Sequence, residues 1–238
     1  MLDFSGRVVV VTGAAGNLGR AVANAFVQAG AQIAAVDRAT GRLEALYPGD
    51  DAPHRMLCLS GVDLTQSHGV TGLVNRTLER FGRLDVLVNT VGGFRAGKSL
   101  IETPLEDWDV MFDVNVRSAL MMARAVVPHF IERRYGRIVN IGARPGVVGR
   151  AGMAAYSASK AALLRLTESL SEEVKGYGVT VNAVIPGTID TPQNRAAMPE
   201  VDPSTWVSPA AIALAILFLA SEQAEAVTGA ALPVYGRS

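Results

Sequence analysis

A chain of 238 residues with 49% hydrophobic and 18% charged side chains has the composition of a globular protein and excludes a disordered one. Acidic and basic residues number 22 each, so neither nucleic acid nor an anionic membrane surface is expected as a partner. The longest apolar run, 210–220, is too short to cross a bilayer, and no cationic leader opens the chain, so neither membrane span nor signal peptide is expected.

Arg7–Thr12 (RVVVVT) is a continuous β-branched run, the pattern of a strand buried on both faces of a parallel sheet. The loop GAAGNLG follows, then a helical pattern over Arg20–Ala29 closed by Gly30. Gln32–Val36 is a second apolar strand ending at Asp37. The cycle repeats with strand Met56–Leu59, helix Ser67–Phe81 and strand Leu84–Asn89. Next come a long helix within Pro104–Arg133, strand Arg137–Ile141, helix Met153–Lys175 and strand Val179–Ile185. Pro186–Pro209 carries prolines at 186, 192, 199, 203 and 209 and little periodicity, which predicts a partly ordered substrate loop over the site. Helix Ala210–Ala220 and a short strand, Ala231–Val234, close the chain. This alternation predicts an α/β fold in one domain spanning 1–238. It is a doubly wound parallel sheet of Rossmann type, with about seven strands and helices on both faces.

Cys58, alone in an apolar run, forms no internal disulfide and reads as a buried, inert thiol in a reducing cytoplasm. The separated histidines His54, His68 and His129 offer no metal-ligand cluster with it, so no metal is expected.

Between the first strand and the first helix, Gly13, Gly16, Asn17, Leu18 and Gly19 lie where a dinucleotide pyrophosphate sits. Missing Cβ atoms admit the phosphates, and the helix N-terminus supplies free N–H groups. A plain strand-to-helix turn is the other reading of the same glycines. Asp37, 24 residues after Gly13, is placed to accept hydrogen bonds from ribose hydroxyls and to repel a 2′-phosphate, which favours NAD(H). Arg38 beside it is suited to a 2′-phosphate, so NADP(H) stays open as the alternative. A solvated strand-end role for Asp37 is the bland reading.

Tyr156 and Lys160 are four apart on a predicted helix and so share a face. With the glycine loop, Asp63 and Leu64 after the third strand, Asn89 ending the fourth, Asn115 in the long helix, and Pro186, Gly187, Ile189 and Thr191 after the sixth, the whole chain resembles a short-chain dehydrogenase/reductase. The resemblance implies hydride transfer with Tyr156 as general acid/base, and these residues, Tyr156 and Lys160 included, as the cofactor site. It further implies a small-molecule substrate, a homo-oligomer (dimer or tetramer) and a cytoplasmic location. An unperturbed tyrosine has a pKa of about 10, so working near 7 needs about 4 kcal/mol of phenolate stabilisation, which Lys160 would supply. Asn115 would hold a water in a proton relay, or satisfy backbone in a helix kink, or both.

Several positions depart from that family's pattern. Asn17 replaces a glycine of the loop, and asparagine tolerates left-handed backbone. Ala143 stands 13 residues before Tyr156, where the family has a carbonyl-binding serine. Loss of one such donor costs about 10² to 10³ in rate. Ser157 and Ser159 leave the helix in other directions from Tyr156, whereas Arg144 is adjacent to Ala143 and a candidate donor.

The quinonoid dihydropteridine reductases lack that serine. The chain resembles this branch in Gly142-Ala143-Arg144, in Gly92-Gly93-Phe94-x-Ala96-Gly97, and in Asp190-Thr191-Pro192-x-Asn194-Arg195 followed by Met198-Pro199-Glu200 and Trp206. By that likeness Phe94 stacks on a flat heteroaromatic substrate, for about 0.5–1.5 kcal/mol; alternatively it plugs the core beneath a loop. Three functions compete: an NADH-dependent reductase of a quinonoid or conjugated ring such as quinonoid dihydropterin, a general NAD(P)-dependent alcohol dehydrogenase or ketone reductase, and a cofactor-binding sensor or scaffold without turnover.

Overall fold

A computed structural model of the chain describes residues 2–48 and 55–237; His54 lies outside the described residues. The strands are β1 (Val8–Thr12), β2 (Gln32–Val36), β3 (Met56–Leu59), β4 (Val86–Asn89), β5 (Gly136–Ile141), β6 (Val179–Pro186) and β7 (Ala231–Val234). All pair in parallel, in the order β3-β2-β1-β4-β5-β6-β7. Every residue of β1, β4, β5 and β6 is buried, which is why these segments read as unbroken apolar runs and not as alternations.

Successive side chains of β1 still serve opposite faces. Val9 and Val11 meet Val22 and Phe26 of helix α1 (Asn17–Gln28) and the Ile212 and Ile216 side chains of the helix Pro209–Ala220. Val10 faces the other way. It packs with Leu73 and Val74 of the helix Ser67–Phe81, and with Met122, Val126 and Phe130 of the helix Ser118–Arg133. Numbered in chain order, the helices are α1, α2 (Arg42–Leu46), α3 (Ser67–Phe81), α4 (Leu105–Phe112), α5 (Ser118–Arg133), α6 (Ala154–Val174), α7 (Pro192–Ala197) and α8 (Pro209–Ala220). Phe26 is fully buried. Truncating a side chain so placed to Ala costs about 3–5 kcal/mol.

The structure corrects three expectations. The long helix within Pro104–Arg133 is divided: α4 and α5 are joined by a wide π-helical turn, Asp113–Arg117, a feature often found at functional positions. Pro186–Pro209 is not a loose excursion. It holds α7, a 3₁₀ turn at Pro203–Thr205, and a parallel bridge between Ile189 and Val207. Asn17 is not left-handed; it is the first residue of α1, and among the described residues Arg134 alone of the non-glycines has a positive φ. The loop therefore accepts asparagine because that position is helical.

The order of strand addition reverses between β1 and β4, which opens a crevice beyond the carboxyl ends of the strands at the switch point. Thr12 is in register with Asn89, and Asn89 with Asn140, so three polar residues lie at or next to the carboxyl ends of three adjacent strands on the edge of that crevice. No described helix is long and apolar enough to cross a membrane.

Candidate active site

The glycine loop joins β1 to α1 at one side of the crevice. Gly13 has φ +64°, and a Cβ on Gly19 would stand 2.1 Å from the Gly13 carbonyl oxygen. Backbone packs on backbone there, leaving the cradle that a pyrophosphate requires. Gly16 and Leu18 flank the exposed Asn17, whose amide donates to Gln193 Oε1 (2.6 Å) and so ties α7 to the start of α1.

Asp37 closes β2 with both carboxylate oxygens engaged, accepting the Ala15 N–H (3.0 Å) and the Ala39 N–H (2.9 Å). It thus braces the loop as well as facing the crevice edge, while Arg38 beside it is exposed. Asp63 accepts from the N–H and hydroxyl of Thr65, and these bonds hold its carboxyl below the usual range. Leu64 is buried next to it.

Across the crevice, Tyr156 and Lys160 project from α6. Lys160 is buried, and its ammonium donates to the Ile141 carbonyl at 2.7 Å. A Cβ on Gly92 would lie 3.3 Å from Lys160 Nζ and 3.2 Å from Asn115 Oδ1, so the segment after β4 closes tightly over the pair. Burial pushes the Tyr156 phenol up to about 12 and the Lys160 ammonium down to about 8. The tyrosine lowered towards 7 that the sequence suggested is therefore not present in the chain by itself, because Lys160 points its charge at a backbone carbonyl and burial acts on the phenol uncompensated.

Asn115 sits in the π-helical turn. Its Oδ1 accepts the Gly93 N–H (2.9 Å), and its Nδ2 donates to the Gly93 carbonyl (3.1 Å) and to Ser159 Oγ (3.0 Å). Ser159 Oγ in turn donates to the Tyr156 carbonyl at 2.8 Å. Asn115 thus satisfies backbone of Gly93 from within the π-helical turn and links the segment after β4 to α6. Asn89 donates to Asn140 (2.8 Å), which donates to Thr167 on α6 (2.9 Å). Sequence reasoning set Ser159 aside as a donor and missed Asn140 and Thr167. The signal for Asn140 was a polar residue near the end of a strand.

At the substrate side Ala143 is buried and offers no hydroxyl. Arg144 stands over the ring of Tyr235 at 5.0 Å, stacked on the segment after β7. Phe94 packs edge-on against Tyr156 with centroids 4.9 Å apart, and at 61% exposure it is no core plug. Ser157 Oγ is buried without a hydrogen-bond partner. On the far side, Pro186 ends β6 and the Gly187 N–H donates to Val234 O (3.1 Å). Ile189 O accepts from Asn194, and Thr191 caps α7 by accepting the Asn194 N–H (3.1 Å). Among the described residues no group of His, Cys, Asp and Glu side chains is arranged to hold a metal ion.

Residues 7–202 match the family model for short chain dehydrogenases. The chain is 37% identical to 2-(R)-hydroxypropyl-CoM dehydrogenase of Xanthobacter autotrophicus, with 97% of each chain covered. It is 33% identical to 3-oxoacyl-[acyl-carrier-protein] reductase of Thermotoga maritima, over 99% of this chain and 98% of the relative. Among solved structures, NAD+-bound xylitol dehydrogenase superposes with a TM-score of 0.88 at 29% identity, covering 98% of this chain and 99% of that one. The glycine cradle and the pair of half-buried tyrosine and buried lysine lie in a chain so related throughout its length, which makes it a member of the short chain dehydrogenase family and an NAD(P)-dependent oxidoreductase.

Proposed function

We propose that this chain interconverts a hydroxyl and a carbonyl on a small organic molecule, with NAD(H) as the preferred cofactor and Tyr156 as the proton carrier. The observation that carries the reading is the half-buried Tyr156 with the buried Lys160 on α6, closed in by Gly92 and braced through Asn115 and Ser159. The relatives support it, being dehydrogenases and a 3-oxoacyl reductase. When bound, the nicotinamide supplies or accepts the hydride.

The chain's own residues do the rest. Gly13, Gly16 and Gly19, with the first turn of α1, would hold the pyrophosphate. Asp37 would take the adenosine ribose, Asp63 and Leu64 the adenine end, and Asn89, Lys160, Pro186, Gly187, Ile189 and Thr191 the nicotinamide end. In the reductive direction the Tyr156 hydroxyl gives its proton to the substrate oxygen and is left as phenolate, which solvent reprotonates. A phenol at about 12 is a weak acid for this task. Turning the Lys160 ammonium from Ile141 O towards the phenol, as ribose contacts would favour, is the step that brings it into range. Asp37 favours NAD(H) because its carboxylate repels a 2′-phosphate; a higher kcat/KM with NADPH than with NADH overturns that preference. Assembly as a homo-oligomer and a cytoplasmic location belong to the same family-based reading.

Ala143 favours a second reading, in which the substrate is a quinonoid or conjugated ring such as quinonoid dihydropterin. A ring of that kind is already polarised and needs no serine, and Phe94 beside Tyr156 offers it an aromatic wall. NADH oxidation measured on a panel of ketones and on freshly generated quinonoid dihydropterin separates the two. Turnover of ketones, raised about tenfold or more in Ala143→Ser, supports the first reading. Turnover of the dihydropterin alone supports the second, and tight NADH binding with no turnover on either panel leaves a sensor.

A further inference from the structure

Beside the Phe94–Tyr156 contact lies a cavity of about 450 Å³ that the chemistry at Tyr156 does not use. Its walls come from the segment after β4 (Phe94, Arg95, Lys98) and from the start of α6 (Ala154, Ala155), with Asp107 of α4 at the side. The two walls are pinned together by a hydrogen bond from the Gly97 N–H to the Gly152 carbonyl (2.9 Å). At that seam a Cβ on Gly152 would lie 3.7 Å from Gly97 N. A backbone seam therefore fixes the two walls relative to each other.

Its charges do not cancel. Arg95 is committed to Asp107 in an ion pair. Glu102, which does not line the cavity, is held in a capping box with Ser99, whose bonds, with a smaller contribution from the Lys98 charge, keep its carboxyl below the usual range. Lys98 forms no ion pair among the described residues. With Arg95 and Asp107 neutralising each other, the lining carries a net charge of one positive, the exposed Lys98, beside an aromatic ring and two alanine methyls.

We propose that this cavity is a substrate-tail subsite: it takes an aliphatic chain extending from the reacting carbon past Phe94 and ending in a carboxylate that Lys98 binds. The proposal rests on the hydroxyl/carbonyl reading above and adds the substrate class. A single positive charge on an otherwise neutral lining matches a monoanion. The aromatic and methyl walls suit methylene groups, and the contact of Phe94 with Tyr156 places the cavity mouth at the reacting group.

The test uses 5-oxohexanoate, 7-oxooctanoate and 9-oxodecanoate against their methyl esters with NADH. The expected result is that the best acid exceeds its own ester in kcat/KM by about tenfold or more, chiefly through KM, and that Lys98→Met brings the acid-to-ester ratio to near one. An acid-to-ester ratio near one in the unaltered protein, or a ratio that survives Lys98→Met, overturns the subsite while leaving the oxidoreductase reading intact. A second readout is independent of turnover: calorimetric titration of the NAD+-saturated protein with octanoate and with octanamide. Octanoate binding that is lost in Lys98→Met upholds the subsite even if no ketone turns over, in which case it is the hydroxyl/carbonyl reading that falls. Equal binding of acid and amide overturns the subsite.

Discussion

Two buried polar clusters stand at opposite ends of the same sheet, and they are built on opposite principles. At the amino ends of β1, β4 and β5, the fully buried Asp85 accepts the Val8 N–H (2.9 Å), two bonds from Arg83 (both 2.7 Å) and a longer one from Arg7 (3.5 Å). Tyr135 beside it is pushed up by burial but drawn back by Arg137 and Arg7, whose guanidinium groups lie over its ring at 4.4 and 4.2 Å. At the carboxyl ends, burial acts on Tyr156 and Lys160 with no opposite charge among the described residues to answer it. Lys160 donates to the Ile141 carbonyl. The first cluster sets its buried carboxylate among cations, and the second leaves its buried lysine without an anion among the described residues, the pattern of perturbed groups that marks a candidate site.

Breaking each cluster separates these roles. Tyr156→Phe should lower kcat by about 10³ on any substrate that turns over, about 4 kcal/mol, with the thermal midpoint retained, because the phenol makes no structural hydrogen bond. Steady-state NADH oxidation and a melting curve on the same preparation check it, and undiminished turnover would remove Tyr156 from its role. Asp85→Ala should do the reverse. It strands Arg83 and the Val8 N–H and should cost about 3 kcal/mol in denaturant unfolding, with kcat per folded molecule unchanged. A variant as stable as the parent would show that the amino-end cluster is not structural.

The smallest effect probes the sign of the uncompensated charge. The Lys160 ammonium lies at about 8 in the folded protein against 10.5 for an ordinary lysine. Between those values the unfolded chain binds more protons, so stability rises with pH. From about pH 8 to about pH 9.5 the cofactor-free protein should gain about 2 kcal/mol relative to Lys160→Met. Parallel stability profiles for the two proteins would mean that Lys160 is not buried against its charge.

Much of this was legible in the linear chain. The strands were, because full burial on both faces demands unbroken apolar runs such as VVVVT, and the glycine loop was, because its context is local. The tyrosine–lysine pair was, because four residues make one helical turn. The partners of Asn115 were not: its bonds to Gly93 and Ser159 span 22 and 44 residues and depend on a π-helical turn that no periodicity announces. Asn140 found Asn89 through strand register and Thr167 through the packing of α6 on the sheet.

The sequence by itself determined the layered fold, the position of the glycine loop and the pair on one face of α6, since these follow from short-range periodicity and backbone sterics. Tertiary structure alone decided where the charges go. Burial, which is a property of the assembled layers, pushed Tyr156 and Lys160 in opposite directions. Proximity in space set Arg144 over Tyr235 and Arg95 against Asp107, and it left Lys98 as the net positive charge of the cavity lining beside Phe94. Electrostatic partners are chosen by proximity in space and by the water that packing removes, and neither quantity is written in residue order.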